Sequence, residues 1–300
     1  DAALWADVEA MFARFGRAPT ANNRAQAMLP RGATAIRNPV GTAPAFWLDV
    51  DGACVVCLPG VPREMRYLTE HAVLPLLAAR FDLTERLWLR TLHVAGRGES
   101  ALDACIADVV AAVAPDGPVA IGLAAHLGVV DIRLTARAAD RAAAAAAFGP
   151  LESALRRRLG DDVFGADGDT LAGAAAAALA ASGWPLAAVE AGVGGALAAA
   201  LAPHAAACAG VDVRAAPLAA DDLAAAVDEA RRAAAADAGL GVSLVRAGDP
   251  TAAEPAAGRI DVVVATPAGS RAFALAHAGH PDHGPSRAAT AALDALRRAL

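Results

Sequence analysis

The chain has 300 residues, with 26 basic residues against 32 acidic ones and a formal net charge of −6. Every basic residue is arginine, so the chain cannot supply a Schiff-base lysine, a P-loop lysine or a lysine general base. Tyr67 is the single tyrosine, and 88 positions are alanine. The acidic balance argues against nucleic-acid binding, which depends on clustered basic residues.

The first 81 residues predict a helix, two strands and a second helix. An amphipathic helix opens the chain, and residues 45–50 and 53–58 have the pattern of two strands. Asp51-Gly52 between them is a strong signal for a tight hairpin. Pro62 then suits the first position of a helix that ends near residue 80.

The middle of the chain predicts a β-α-β-β-α order. Strands are expected over 86–94, 119–123 and 129–136, with a long helix over 140–159. An earlier helix is expected to begin at Ser100 as N-cap, with Asp103 three residues on as an acidic variant of the capping box. This order is typical of a small α+β domain.

The remainder predicts strands that alternate with helices, which indicates an α/β layer. A linker around residues 165–168 is the natural boundary before it. Helices are predicted over 171–181, 194–201, 221–238 and 286–300, and strands over 186–190, 241–245, 260–265 and 271–277.

Several motifs occur in an order and spacing that point to one family. In the first part of the chain these are Asn23-Arg24-Ala25-Gln26-Ala27, Leu29-Pro30-Arg31-Gly32-Ala33, Asn38-Pro39-Val40-Gly41-Thr42-Ala43-Pro44 and Leu58-Pro59-Gly60-Val61-Pro62-Arg63-Glu64-Met65. Together they resemble the CinA family (competence/damage-inducible protein A). Residues 92–100 and 159–165 are similar to the family's middle, KH-like segment.

The resemblance implies three domains in a multidomain α/β and α+β fold. Residues 1–83 would be the C-terminal part of a MoaB/Mog-like α/β domain, similar to molybdopterin-binding proteins. Residues 84–166 would be a KH-like α+β domain. Residues 167–300 would be the CinA C-terminal α/β domain, which resembles a nicotinamide-nucleotide amidohydrolase.

The C-terminal motif of the family is altered here. Active members hydrolyse nicotinamide mononucleotide to nicotinate mononucleotide and ammonia. Their motif is Glu-Ser-Cys-Thr-Gly-Gly, whose serine is the nucleophile, assisted by the threonine and a downstream Tyr/Lys pair. Only Glu190 is kept at the start, because Ala191, Gly192 and Val193 stand at the Ser, Cys and Thr positions. Since amide hydrolysis needs a nucleophile and a group that takes its proton, we expect no catalytic residue in this domain.

Gly194 and Gly195 still match the end of the motif. They permit a tight strand-to-helix turn, which is either purely structural or a residual nucleotide site whose backbone N–H groups hold an anion.

The first domain supplies a second set of candidate ligand-binding residues. Asn38, Gly41 and Thr42 form a short polar loop, and Gly60 lies in a Gly/Pro loop that leads into the helix carrying Glu64. These loops suit a phosphate or pterin phosphate, or are simply well-specified turns with Glu64 as a first-turn charge. The family's upstream glycine and aspartate segment, which the resemblance implies as the metal and phosphate binder, is expected before the start of this chain.

His277, His280 and His283 have a spacing that could gather a metal, with Asp282 nearby. Because glycines and prolines surround them, a solvated loop is the favoured interpretation, and the identity of any metal is unknown. We expect no cofactor in this chain, with a divalent metal reserved for the full-length protein.

Three hypotheses for function follow. The first is a CinA-like protein that binds a nucleotide or pterin phosphate through its N-terminal domain, with an inactive deamidase-like C-terminal domain. The second is an ADP-ribose pyrophosphatase completed by upstream residues, and the third an active amidohydrolase that uses residues outside the family motif. In each case we expect a cytoplasmic homo-oligomer with a small-molecule ligand and neither a nucleic-acid nor a membrane partner.

Overall fold

The computed structural model describes residues 1–113, 117–246 and 256–300, which divide into two compact units, Asp1–Arg86 and Leu87–Leu300. The first unit combines three α-helices and a 3-10 helix over Ala21–Ala27 with an antiparallel sheet in the order β1–β2–β3. Its elements are α1 (Ala2–Arg14), β1 (Thr34–Ile36), β2 (Ala45–Val50), β3 (Ala53–Cys57), α2 (Pro62–Leu68) and α3 (Leu74–Arg80).

The predicted hairpin of the first unit is confirmed, and its second helix begins at Pro62 and ends at Arg80 as predicted, with a π-helical turn inside it. Asp51 and Gly52 both adopt positive φ angles between β2 and β3, as a tight hairpin turn requires. A π-helical turn, Thr69–Val73, separates α2 from α3. Pro75 follows two residues after this turn. Because proline has no N–H to donate and its ring clashes with the carbonyl one turn earlier, the regular α-helical hydrogen-bond pattern is interrupted there.

The second unit contains two sheets. The first has four strands in the order β5–β6–β4–β7 and carries two helices. Its elements are β4 (Arg86–Ala95), α4 (Glu99–Ala111), β5 (Val119–His126), β6 (Val129–Ala138), α5 (Arg141–Leu159) and β7 (Val163–Ala166). The β-α-β-β-α order is as predicted, and β7 is an additional strand that pairs antiparallel with β4.

Two details of this region differ from the prediction. Helix α4 has Gly98 rather than Ser100 as its N-cap, because the Gly98 carbonyl already accepts from the Leu102 N–H at 2.9 Å and closes the first turn. The segment predicted as a linker is tied to β4, since Asp167 accepts from the Thr91 N–H at 3.0 Å and donates its own N–H to the Thr91 carbonyl at 2.9 Å.

The second sheet of this unit has five strands in the order β12–β11–β10–β8–β9. Its elements are α6 (Leu171–Ser182), β8 (Leu186–Ala191), α7 (Ala196–Leu201), β9 (Cys208–Arg214), α8 (Ala220–Ala234), β10 (Ala238–Arg246), β11 (Ala256–Thr266), β12 (Gly269–Gly279) and α9 (Gly284–Ala299). Strands β8, β9 and β10 are parallel, and β11 and β12 extend the sheet antiparallel. The α/β and α+β multidomain fold predicted from the sequence is therefore confirmed.

Helices cover both faces of the five-stranded sheet. Helices α6, α7 and α9 pack on one face, in a core that includes Leu179, Leu197 and Leu293, while α8 packs on the other through Leu223 and Val227. Every residue of β8 is buried as a result. The chain leaves β8 through α7 toward β9 and returns through α8 to β10, so the carboxyl end of β8 lies where the connections diverge, the usual position of a ligand site in such sheets.

Charged side chains tie the four-stranded sheet to α9 within the second unit. The Asp162 carboxylate accepts from Arg97 and, at 3.0 Å, from Arg298, which also donates to Asp294 at 2.9 Å. Burial alone would raise the pKa of Asp162, but the hydrogen bonds from Arg97 and Arg298 outweigh it, and the pKa lies below its usual value.

Asp162→Asn is expected to lower the free energy of unfolding by about 2 kcal/mol near pH 7, since one of the two arginines loses its acceptor and the other keeps only a neutral one. A folded pKa below the unfolded one gives stability that is present above about pH 4 and lost as the pH falls through the folded pKa. The variant should therefore lose less stability on acidification than the parent. Urea denaturation across this pH range measures both effects. Asp161→Asn is the matched control, because the exposed Asp161 carboxylate makes no ion pair within the described residues; equal losses in both variants would contradict the prediction.

Candidate functional site

The carboxyl end of β8 turns sharply into α7. Gly192, Gly194 and Gly195 have φ angles of +68°, +69° and +87°, the left-handed region that glycine adopts without strain. The Gly192 N–H donates to the Arg214 carbonyl at 3.0 Å, and a Cβ atom at Gly192 would lie 2.8 Å from the Leu244 carbonyl oxygen. The tight strand-to-helix turn predicted from the glycines is therefore present.

Glu190 lies inside this turn and is fully buried. Its Oε2 atom accepts from the Leu197 N–H at 2.8 Å and from the Ala198 N–H at 3.2 Å. Its Oε1 atom has no hydrogen-bond partner and faces Gly195, whose Cβ position would be 3.9 Å away. A carboxylate of the chain itself thus occupies the position that an external anion would take at the start of α7.

The other side chains of the turn are without polar atoms. Ala191 and Val193 are both fully buried, and Gly192 has no side chain. Tyr67, the single tyrosine, belongs to the first unit and stacks on His71 with a 4.3 Å separation of ring centroids.

Ser243 is a residue of this edge that the sequence analysis did not identify. It is buried on β10 directly opposite Ala191 in the strand register. Its hydroxyl donates to the Leu218 carbonyl at 2.8 Å and accepts from the Leu218 N–H at 2.9 Å. A single serine within an apolar, strand-like run gives no indication in the sequence that it lies close to a turn fifty residues earlier. Its position beside Ala191 follows only from the pairing of β10 with β8.

In the first unit, the structure brings together three of the predicted ligand-binding residues. Asn38 Nδ2 donates to Glu64 Oε2 at 2.7 Å and to the Ala43 carbonyl at 2.8 Å. The Glu64 carboxylate also lies against Gly41, where a Cβ atom would be only 2.0 Å from its Cδ. Thr42 belongs to the same loop, whereas Gly60 has no heavy atom within 4 Å of its Cβ position.

This cluster places a carboxylate where the sequence analysis expected a phosphate. Glu64 is not only a first-turn charge, because it holds the loop from Asn38 to Ala43 against α2. A bound phosphate would meet this negative charge directly. Within residues 1–113, 117–246 and 256–300, no group of three or more His, Cys, Asp or Glu side chains could hold a metal ion, so a single carboxylate does not amount to a metal site here.

The strand predicted over residues 271–277 is present as part of β12. The solvated-loop interpretation of the histidine run is wrong where that strand continues to Gly279 and where Pro281–His283 form a 3-10 helix. His277 lies in β12 and is only 5% exposed, while His283 precedes α9. His280 contacts His283, with the two rings tilted at 50° to each other and their centroids 5.7 Å apart. Sequence spacing alone did not show that the strand extends as far as Gly279.

Among the helices of the described residues, none combines the length and the apolar character needed to cross a membrane.

Similar proteins were found by sequence and by structure. The family model "Damage-inducible protein CinA KH domain" matches residues 89–165. A CinA-like protein of Parasynechococcus marenigrum (strain WH8102) is 38% identical over 199 residues, which are 66% of this chain and 46% of that protein. A putative competence-damage inducible protein of Symbiobacterium thermophilum is 41% identical over 197 residues, 65% of this chain and 46% of that protein.

Among solved structures, the competence or damage-inducible protein from Enterobacter asburiae aligns with 44% of this chain and 98% of its own, at 17% identity and a TM-score of 0.37. The chain spans about half the length of the curated relatives it matches.

Proposed function

We propose that this chain, which belongs to the CinA family, is a member without amidohydrolase activity that binds a nucleotide or pterin phosphate through its N-terminal unit. The family membership inferred from the motifs is confirmed. The activity and ligand are proposals that rest on the two sites described above.

The observation that carries the proposed inactivity is the chemistry of the turn after β8. Three consecutive residues, Ala191, Gly192 and Val193, offer no hydroxyl, thiol or amine to attack a carbonyl. The Glu190 carboxylate, the remaining acidic group of the turn, is already bonded to the N–H groups of Leu197 and Ala198. Its negative charge also disfavours a substrate phosphate at Gly194 and Gly195, so we propose that this turn is structural.

The purified protein is expected to release no ammonia from nicotinamide mononucleotide above the rate of a heat-denatured sample. Ammonia release, measured beside an active family member, is the test. Turnover comparable to that member would overturn the proposal.

Ser243 provides the discriminating variant if ammonia appears. Its hydroxyl is the nucleophile available on the neighbouring strand. Both of its hydrogen bonds go to Leu218, and among the described residues neither a histidine nor a lysine is bonded to it. Loss of turnover in Ser243→Ala would establish the third hypothesis, an amidohydrolase that uses a residue outside the motif.

Ligand binding by the first unit is proposed at the loop held by Asn38, with the exposed Gly60 before α2 as its second element. The support is a polar loop that is already ordered by the Asn38–Glu64 hydrogen bond, which reduces the entropy lost when a ligand binds. Because Glu64 repels a bare phosphate, we propose that the ribose or pterin portion contacts this loop and that the phosphate lies toward Gly60.

Calorimetry with ADP-ribose, nicotinamide mononucleotide and a molybdopterin analogue tests this binding. Saturable binding of at least one ligand, weakened in Asn38→Ala, is expected. Equal affinity in the variant would place the site elsewhere, and absence of binding by all three would leave a scaffold. The pyrophosphatase hypothesis requires metal-binding residues that the described part of this chain does not supply, so no catalytic step is assigned to it.

A further inference from the structure

A cavity of about 680 Å³ lies within the second unit, and none of its described lining residues belongs to the turn after β8. Helix α9 and the edge strand β12 form its sides, and two loops of the four-stranded sheet close it. These loops contain Gly96, Gly98 and Gly128, so their backbone atoms rather than side chains face the cavity. The volume falls in the range of small-molecule sites.

The floor of the cavity is apolar and solvent-facing. Phe273 and Leu275 are 38% and 42% exposed, although both are large hydrophobic residues. They lie on the same face of the sheet as Ile260 and Val262, their register partners on β11. Since α9 packs over β11 and leaves β12 uncovered, the two side chains remain available for a flat apolar group.

The charged residues that line the cavity are mostly arginines. They are Arg97, Arg271, Arg287 and Arg298, against Asp162 and Asp294. Both carboxylates are already bonded to arginines, Asp162 to Arg298 at 3.0 Å and Asp294 to Arg298 at 2.9 Å. The described lining therefore carries excess positive charge, which favours an anionic ligand.

Arg271 and His277 mark the two ends of the β12 face. Within the described residues, Arg271 makes no ion pair, and the buried His277 has an Nδ1 atom without a hydrogen-bond partner. Burial first, and then the charges of Arg287 and Arg246, lower the pKa of His277, so near neutral pH the His277 ring itself offers no charge to an anion. The ends are six residues apart, on the order of 20 Å along a strand, so one small ligand reaches only one of them.

We propose that this cavity binds a small organic anion with a flat apolar ring, the ring lying on Phe273 and Leu275 and the anionic group on Arg271. The apolar floor favours contact with a flat ring. The planar guanidinium group of Arg271 is suited to bind a phosphate, sulfonate or carboxylate through two hydrogen bonds. Neither an inorganic anion nor a neutral aromatic compound uses both features.

Titration calorimetry with 1-naphthyl phosphate tests the proposal, with inorganic phosphate and 1-naphthol as the separate halves. We expect saturable binding of one molecule per chain, at least about tenfold tighter than either half. Affinity for 1-naphthol equal to that for 1-naphthyl phosphate, or no saturation by about 1 mM, would overturn it.

Variants locate the ligand. Arg271→Gln and Leu275→Glu should each weaken binding by about tenfold or more, because one removes the cation and the other adds a carboxylate to the floor. Arg232→Gln, an exposed arginine on α8, and His277→Gln, at the far end of the cavity, should bind as the parent does. Unchanged binding in Arg271→Gln, or loss in His277→Gln with Arg271→Gln unaffected, would refute the placement. Circular dichroism of each variant confirms that it is folded.

Discussion

Gly241→Ala is expected to lower the free energy of unfolding by about 2–3 kcal/mol, an unusual loss for the addition of one methyl group. A Cβ atom at Gly241 of β10 would lie 2.5 Å from Val227 Cγ2 and 3.1 Å from Leu223 Cδ1. Val227 is β-branched and fixed in one rotamer on a helix, so α8 itself must move away from the sheet. Urea denaturation followed by circular dichroism measures the loss, and hydrogen exchange of the β10 amides assigns it to the second unit.

Gly210→Ala is the matched control in the same sheet. Gly210 lies in β9, and nothing is within 4 Å of its Cβ position. This substitution should be neutral or stabilising by a few tenths of a kcal/mol, because alanine restricts the unfolded chain. The double variant Gly241→Ala/Val227→Ala should lose less stability than the sum of the two single losses, since the added methyl group then has room. Additive losses in the double variant would contradict the close approach of α8 to β10.

Those elements whose signals are local were predictable from the sequence. The hairpin at Asp51-Gly52 and the turn at Gly192 to Gly195 depend on positive φ angles. Glycine adopts such angles without strain, so its presence at these positions predicts both turns. Strand β9, in contrast, is not predicted, because it is a partly exposed edge strand whose alternation covers only Val211–Arg214, after an alanine-rich stretch. The end of α8 was placed too late, because the alanines after Ala234 carry no stop signal and Ala235 itself adopts the left-handed conformation.

The candidate sites show the same division between local and distant interactions. Loss of the motif side chains at Ala191 and Val193 can be seen in the sequence alone. The bond between Asn38 and Glu64 joins residues 26 positions apart, and the pairing of Ala191 with Ser243 joins two strands across the sheet. Such contacts depend on how elements pack, which residue spacing does not encode. The last strand shows a smaller error of the same kind: it is predicted over 271–277, which includes His277, but it continues to Gly279, where neighbouring glycines and prolines predicted a loop.

Glu190→Ala is expected to lower the free energy of unfolding by about 2–4 kcal/mol, whereas Glu190→Gln should retain the parent stability within about 1 kcal/mol. Alanine leaves the N–H groups of Leu197 and Ala198 without an acceptor in a buried position. Glutamine keeps an oxygen for both donors and removes a buried charge whose Oε1 atom has no partner. Chemical denaturation of both variants and of the parent at pH 7 provides the comparison.

Glu229→Ala controls for the general effect of removing an acidic side chain, because Glu229 is exposed on α8 and should change stability by less than about 0.5 kcal/mol. The pair at position 190 separates two roles for the carboxylate. If it serves only as the helix cap of α7, its two acceptor bonds matter and its charge does not, so glutamine substitutes for it. A loss in Glu190→Gln as large as that in Glu190→Ala would show that the negative charge itself is required, and the turn after β8 would then have to be reconsidered as a site for a cationic ligand rather than a structural remnant.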